Sequence, residues 1–252
     1  MDTTEKQESG RVKAFLVHLL LSAVIGTAVG AVFWFILYPA PLFRAVGGLD
    51  IFLVVLTVDV ILGPVLTLIV FRKGKKRLWL DLAVIACVQA AALAYGVATL
   101  YMGRPVFVAA LGHRFDVIQA SEVAADDLQA SGQSLPAWGP KWVGIRPPDD
   151  PKVRSEMMFS GLAGVDYGHK PQFHTAISDM RAELLKEAKP IAELRARGRD
   201  HDAAISAWLA ARGHSDESVR YVGLKAKAED MAVILDAKTA EVIGIAPFKP
   251  WD

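Results

Sequence analysis

The sequence predicts a membrane protein in two parts: three N-terminal transmembrane α-helices, followed by an α+β periplasmic domain. Three observations carry that prediction. Residues 14–38, 51–71 and 80–102 are apolar runs almost free of ionisable groups, each near the roughly 20 residues a helix needs to cross about 30 Å of hydrocarbon. Lysine and arginine crowd the ends of these runs on one side only. Beyond residue 103 the pattern changes to short alternating and amphipathic segments, as in a folded domain.

The first run holds His18 as its only ionisable group, the second only Asp59, and the third begins beside Asp81 and is otherwise uncharged. Buried helices of a soluble domain seldom run this long without a polar face. The first run also exceeds the h-region of a cleaved signal peptide, about 7–15 residues. It continues through Phe33, Trp34, Phe35 and Ile36 and is expected to stay as an anchor.

Orientation follows from the basic residues. Lys6, Arg11 and Lys13 precede the first span, and Arg72, Lys73, Lys75, Lys76 and Arg77 fill the loop between the second and third. The loop between the first and second spans carries only Arg44. Short cytoplasmic loops hold the excess of lysine and arginine. Residues 1–13 and the loop 72–77 are therefore expected in the cytoplasm, with 14–102 forming the membrane domain. Three crossings then deliver residues 103–252 to the opposite side of the membrane, in a bacterium the periplasm or the cell exterior. The basic loop reads as a topology determinant and a contact for lipid headgroups. With a formal net charge of +1 the chain advertises no polyanion-binding surface, so no nucleic-acid partner is expected. The single cysteine, Cys87, falls in the third span, which leaves the C-terminal domain without a disulfide.

In that domain residues 104–110 (RPVFVAA) and 114–119 read as strands, and SEVAADDLQA as a short amphipathic helix starting at Ser121. Residues 131–151 are rich in Gly, Pro and Trp and predict an ordered, irregular loop. Residues 152–161 predict a helix opened by Pro151, and residues 176–197 a longer one kinked or broken at Pro190. Residues 202–212 carry an apolar stripe of Ile205, Trp208 and Leu209, ended by Gly213. The tail alternates over 220–226, is apolar over 231–235, and resumes at 241–246 after the turn DAKTA, which predicts a terminal hairpin.

The polar groups at membrane depth are the candidate site. Asp59 lies 12 residues before Phe71 and Gln89 nine after Leu80, about 18 Å and 14 Å from the same end at 1.5 Å per residue. On antiparallel neighbours the two side chains are expected to meet, which offsets part of the cost of about 2.5–3.5 kcal/mol for an acid at mid-bilayer. Gly63 and Pro64 follow the acid. Pro64 lacks an amide donor and displaces the carbonyl of Val60, predicting a kink beside Asp59, with Thr67 one turn on as a hydrogen-bonding group. Two readings stand: Asp59, Gly63, Pro64, Thr67 and Gln89 dock a polar group of a partner's membrane helix, or they clamp the chain's own helices. His18 and Asp81 lie at similar heights and either pair across helices, or Asp81 faces Arg77. Gly26 with Gly30, and Ala83, Ala86, Ala90 and Ala94, allow close helix packing.

Elsewhere chemistry is sparse. His169 and His174 stand five apart across a proline, with no HExxH, CxxC or third ligand at metal spacing. GxSxG and a glycine-rich phosphate loop are absent. Neither a metal nor a cofactor is implied, and no catalytic residue is assigned. Trp138 and Trp142 form either an aromatic platform or part of the loop's packing.

The segments YPAPLF (38–43), VDVILGPVLTLIVF (58–71), GKK in the basic loop, DLAVIACVQAAALAYG (81–96) and RPVFVA (104–109) resemble the bacterial type IV pilin accessory proteins of the TfpX/TfpZ kind. The resemblance covers about residues 11–118; the remaining domain matches in layout and in its final apolar strand and KPW tail. Ala40 departs from the glycine expected between the two prolines. The resemblance implies an inner-membrane protein that assists a cognate pilin in stability, assembly or pilus dynamics, and it implies no enzymatic activity. On that reading the three helices are expected to shelter the pilin's hydrophobic helix, with Asp59 and Gln89 engaging the polar groups near its start and the pilin's N-terminal ammonium a partner for Asp59. The chain is not itself a pilin, since Phe15 stands where a prepilin carries glutamate. Two competing readings are a membrane transferase acting on pilin or a lipid-linked sugar, and a membrane sensor or structural protein unrelated to pili.

Overall fold

The computed structural model describes residues 2–72, 74–162, 164–197 and 201–251, and it has the expected class: long apolar helices first, then helices packed on a mixed sheet. Three helical stretches, Glu8–Leu37, Gly48–Val70 and Leu78–Met102, are long and apolar enough to span a membrane. By contacts the chain divides into two compact units. One holds the chain up to Ile36 with Gly48–Met102; the other holds Leu37–Gly47 with the chain from Gly103 onward.

In the first unit α1 (Asp2–Val32) runs on into a π-helical turn, Phe33–Leu37. The second span is composite: α3 (Gly48–Thr57), a π-helical turn Val58–Leu62, and α4 (Gly63–Val70). The third is α5 (Leu78–Met102). Outward faces stay apolar, with Phe35, Trp79, Val84 and Tyr95 exposed, as helices solvated by lipid require. Close approach is set by glycine. A Cβ on Gly26 would stand 2.6 Å from Leu56 Cδ1, and one on Gly30 2.7 Å from Phe52 Cζ. Gly96 of α5 is likewise pressed against the Val55 side chain. The GxxxG pair thus serves packing within this chain. Ala86, Ala90 and Ala94, by contrast, are exposed and only Ala83 is half-buried.

The second unit includes α2 (Leu42–Ala45), from the loop that follows the first span. Tyr38, Leu42, Phe43, Ala45 and Val46 are buried there. The Ala45 carbonyl accepts from the amides of Ala228 (2.8 Å) and Glu229 (3.1 Å), and Arg44 pairs with Glu229 at 2.9 Å. The sheet is built from β1 (Pro105–Ala110), β2 (Arg114–Gln119), β3 (Lys141–Ile145), β4 (His174–Ala176), β5 (Lys189–Pro190), β6 (Val219–Lys225), β7 (Met231–Asp236) and β8 (Val242–Ala246). The order is β4-β3-β1-β2-β6-β7-β8, with β5 on one end of β6. The pairs β1–β3 and β2–β6 are parallel and the others antiparallel. Every residue of β1 is buried, which explains why it reads as a continuous apolar run rather than an alternating one.

Helices α6 (Ala125–Ser131), α7 (Pro151–Leu162), α8 (Arg181–Glu187), α9 (Ile191–Ala196) and α10 (His201–Ala210) complete the unit. One core joins Ile191, Leu194, Ile205 and Leu209 to Tyr221 and Ile234. A second surrounds Phe107, Ile118 and Ile145.

Three expectations need correction. The helix expected from Ser121 starts at Ala125, because Gln119 and Glu122 instead cap a 3₁₀ turn over Ala120–Glu122. The irregular loop expected over 131–151 contains β3, held parallel to β1. The helix expected over 176–197 is broken at Pro190 as expected, but its first part opens with a 3₁₀ turn, Ile177–Met180, before α8, and α9 follows the break. Between them Lys189, restricted by Pro190 behind it, is extended enough to pair with Tyr221.

Candidate functional site

The second span places its acid by a break in its own hydrogen-bond ladder. The amide of Gly63 donates to Val58 O, a bond to the fifth preceding residue. In such a turn the Asp59 carbonyl would accept from residue 64. That residue is Pro64, which has no N–H. The Asp59 carbonyl is thus left without a backbone donor, and a side chain supplies one: Gln89 Nε2 of α5 donates to Asp59 O at 3.2 Å. The expected kink takes the form of this π turn, a feature that recurs at functional sites.

Gly63 makes the contact possible. The Gln89 amide lies flat against it, and any Cβ at position 63 would collide with that amide. Asp59, Gly63, Pro64 and Gln89 therefore come together as expected from their heights. Asp59 is 7% exposed, and among the described residues its Oδ1 has no hydrogen-bond partner. A buried polar atom left this way costs free energy and is characteristic of strained or functional positions.

Thr67 is buried and belongs to a different pair. His18 Nδ1 of α1 lies 2.6 Å from Thr67 Oγ1. His18 therefore does not pair with Asp81, and Asp81 does not pair with Arg77: its carboxylate meets Lys75 instead. The loop is tight enough that Asp81 N donates to the Arg77 carbonyl at 3.4 Å. Arg72, Lys75, Lys76 and Arg77 are exposed; Lys73 lies outside the described residues. Arg11 Nε donates to Phe71 O at 2.7 Å and so satisfies a terminal carbonyl of the second span.

Two grooves open beside this set. The larger, about 600 Å³, is lined by Lys13, His18 and Thr67 at its polar end and by Val17, Leu21 and Leu82 beyond. The smaller, about 300 Å³, runs along Val54, Val55, Val58, Ala92 and Gly96. Asp59 lines neither.

The C-terminal unit holds a charged cluster that the sequence reading passed over. Arg114 grips Asp116 through Nε (2.8 Å) and Nη2 (3.1 Å), and reaches Asp166 Oδ2 at 2.9 Å. The signal was present as RFD, whose first and third residues share one strand face. The cluster borders a cavity of about 270 Å³ with Glu122, His169, Lys225 and Lys227. His174 donates from Nε2 to the Gly168 carbonyl at 2.9 Å and packs edge-on against Phe107. Burial lowers its pKa below the ordinary histidine value. Trp142 packs against Phe115 at 5.8 Å, while Trp138 is 71% exposed. The two tryptophans thus do not form one platform. Trp251, near the end of the chain, lies over Gly223 and donates from Nε1 to Asp230 Oδ2 at 2.6 Å. Among the described residues no group of three or more His, Cys, Asp or Glu is placed to hold a metal ion.

Comparison with known proteins agrees with the resemblance read from the sequence. Residues 6–47 match the model of a family described as fimbrial assembly protein FimB. Two relatives from Dichelobacter nodosus, the fimbrial assembly proteins of serogroups I and E1, are each 25% identical over 227 residues, covering 87% of this chain and 88% of theirs. The fimbrial assembly protein of serogroups C1 and C2 from the same organism is 28% identical over 114 residues, 44% of this chain and 87% of its own. No solved structure matches the chain.

Proposed function

We propose that this chain is an accessory protein of type IV pilus assembly, anchored in the bacterial inner membrane and acting on a cognate pilin. Likeness to fimbrial assembly proteins along most of its length supports a role in pilus assembly. Three helices able to span a bilayer support a site of action at the membrane. In this reading the basic loop faces the cytoplasm, the C-terminal unit is periplasmic, and the chain works by binding rather than catalysis.

The observation that carries the pilin contact is the buried Asp59 carboxylate, whose Oδ1 has no partner among the described residues. An ammonium at the start of a pilin's hydrophobic helix supplies the missing donor, and two charges that meet avoid separate burial. Access requires the second and third spans to part along the groove beside Val58, which breaks the hydrogen bond from Gln89 to the Asp59 carbonyl. That bond is a weak latch, since polar contacts between membrane helices average about 0.6 kcal/mol. In detergent extracts, Asp59→Ala should reduce pilin co-purification while the protein's level stays normal. Undiminished pilin recovery rejects the contact.

A further inference from the structure

We propose that the larger groove of the membrane unit is a binding site for one anionic phospholipid. Its occupant is identified by the order of chemistry along its length. Gly10, Ala14, Val17, His18 and Leu21 form one stripe of α1 at spacings of three and four residues, with Lys13 at its edge. Lys13 is exposed at the basic end, where Arg72, Lys76 and Arg77 are also exposed and make no ion pair with a described residue. His18 lies about 7.5 Å deeper and Leu21 about 12 Å deeper at 1.5 Å per residue.

The groove therefore presents a cation, then a hydrogen-bonding pair, then hydrocarbon. A phospholipid presents the same sequence as phosphate, ester and acyl chain. His18 uses Nδ1 on Thr67, which leaves Nε2 for an ester oxygen. Arg11, held to the carbonyl of the groove residue Phe71, adds a second cation near the phosphate position. Lysine stems lie along apolar surface while the ammonium stays at the headgroup level, and basic residues at a membrane edge attract anionic lipid.

Size argues against a helix as the occupant. One turn of α-helix, about 10 Å across and 5.4 Å high, fills roughly 400 Å³. With its helices as they stand the groove, at about 600 Å³, holds little more than one turn, whereas a docked transmembrane helix needs several. An acyl chain is narrow enough to enter.

The test uses the purified full-length chain, delipidated in detergent and titrated with dioleoyl-phosphatidylglycerol or dioleoyl-phosphatidylcholine under native mass spectrometry. One phosphatidylglycerol per chain should be retained at least tenfold better than phosphatidylcholine. Lys13→Gln should lower that retention about fivefold, the value of one basic residue at an anionic surface. Ala86→Trp, which fills the groove from an exposed position of α5, should abolish retention with helix content unchanged. Equal retention of the two lipids overturns the proposal. So does unchanged phosphatidylglycerol binding by Lys13→Gln, a variant at an exposed side chain that keeps the test valid should Ala86→Trp misfold. Capture of pilin instead of lipid by a photocrosslinker at position 86 overturns it as well.

Discussion

Replacing Gly96 with alanine tests the contact that sets the register of the second and third spans. A Cβ there would lie 3.1 Å from Val55 Cγ1 and 3.3 Å from Val55 Cβ, and closer still to Cγ2. Valine in a helix has essentially one χ1 rotamer, so the neighbour cannot yield and the helices must separate. Overpacking of this kind costs about 2 kcal/mol, and alanine recovers about 1 kcal/mol of helix propensity over glycine, so the net loss is about 1 kcal/mol. Val55→Ala alone removes packing atoms without relieving a clash, and costs about 1 kcal/mol of dispersion contact. In the double variant the clash is gone, the propensity gain remains, and stability returns to about that of the parent. The two single losses sum to about 2 kcal/mol and the double loss is near zero. The coupling is therefore about 2 kcal/mol, roughly thirtyfold in the equilibrium constant. Reversible unfolding in mixed micelles, followed for the four proteins of the cycle, measures it. If the single effects add to within about 0.5 kcal/mol, as for independent sites, the helices do not meet at this pair.

Two further outcomes follow from other parts of the molecule. Because burial lowers the pKa of His174, the unfolded chain binds its proton first. Stability is then complete above the ordinary histidine pKa of about 6.5 and falls as pH drops below it; thermal unfolding of His174→Gln, compared with the parent from pH 7.5 to 5, should lose that dependence. Alkaline phosphatase fused after the last residue should be active in intact cells, and neutralising Arg72, Lys76 and Arg77 together should reduce that activity, since loop charge sets orientation; a fusion inactive in the parent places the C-terminal unit in the cytoplasm.

What was legible in the sequence was whatever depends on local pattern or on height along a helix. The spans, β1, β2 and the strands near the C-terminus follow from runs and alternation. The meeting of Asp59 and Gln89 follows from counting residues to a shared end. The atom that receives the Gln89 hydrogen bond does not, because it depends on a π turn that hands the Gly63 amide to Val58. The His18–Thr67 pair was hidden for a related reason: counting gives depth, not which faces of α1 and α4 oppose each other. Strand β3 was obscured by its Pro- and Gly-rich surroundings and by a partner, β1, far back in the chain. Gly144 there reads as a breaker, yet it is required because Met180 packs directly over it.

The loop after the first span shows how one short motif can serve the fold of a distant segment. YPAPLF lies between two membrane helices, and by sequence it is a turn with two prolines. In the structure Tyr38 and Phe43 meet edge to face at 4.9 Å, and both are buried. The next turn fastens Ala45 and Arg44 to residues 228 and 229, more than 180 positions later. Aromatic pairs of this kind contribute about 0.5–1.5 kcal/mol beyond the area they bury. The loop therefore adds to the core of the C-terminal unit, and that unit cannot be complete without residues that lie before the second span. An isolated fragment beginning at Gly103 should consequently be less stable than the same unit in the full chain, by the packing of Tyr38, Leu42 and Phe43 and the two hydrogen bonds to the Ala45 carbonyl.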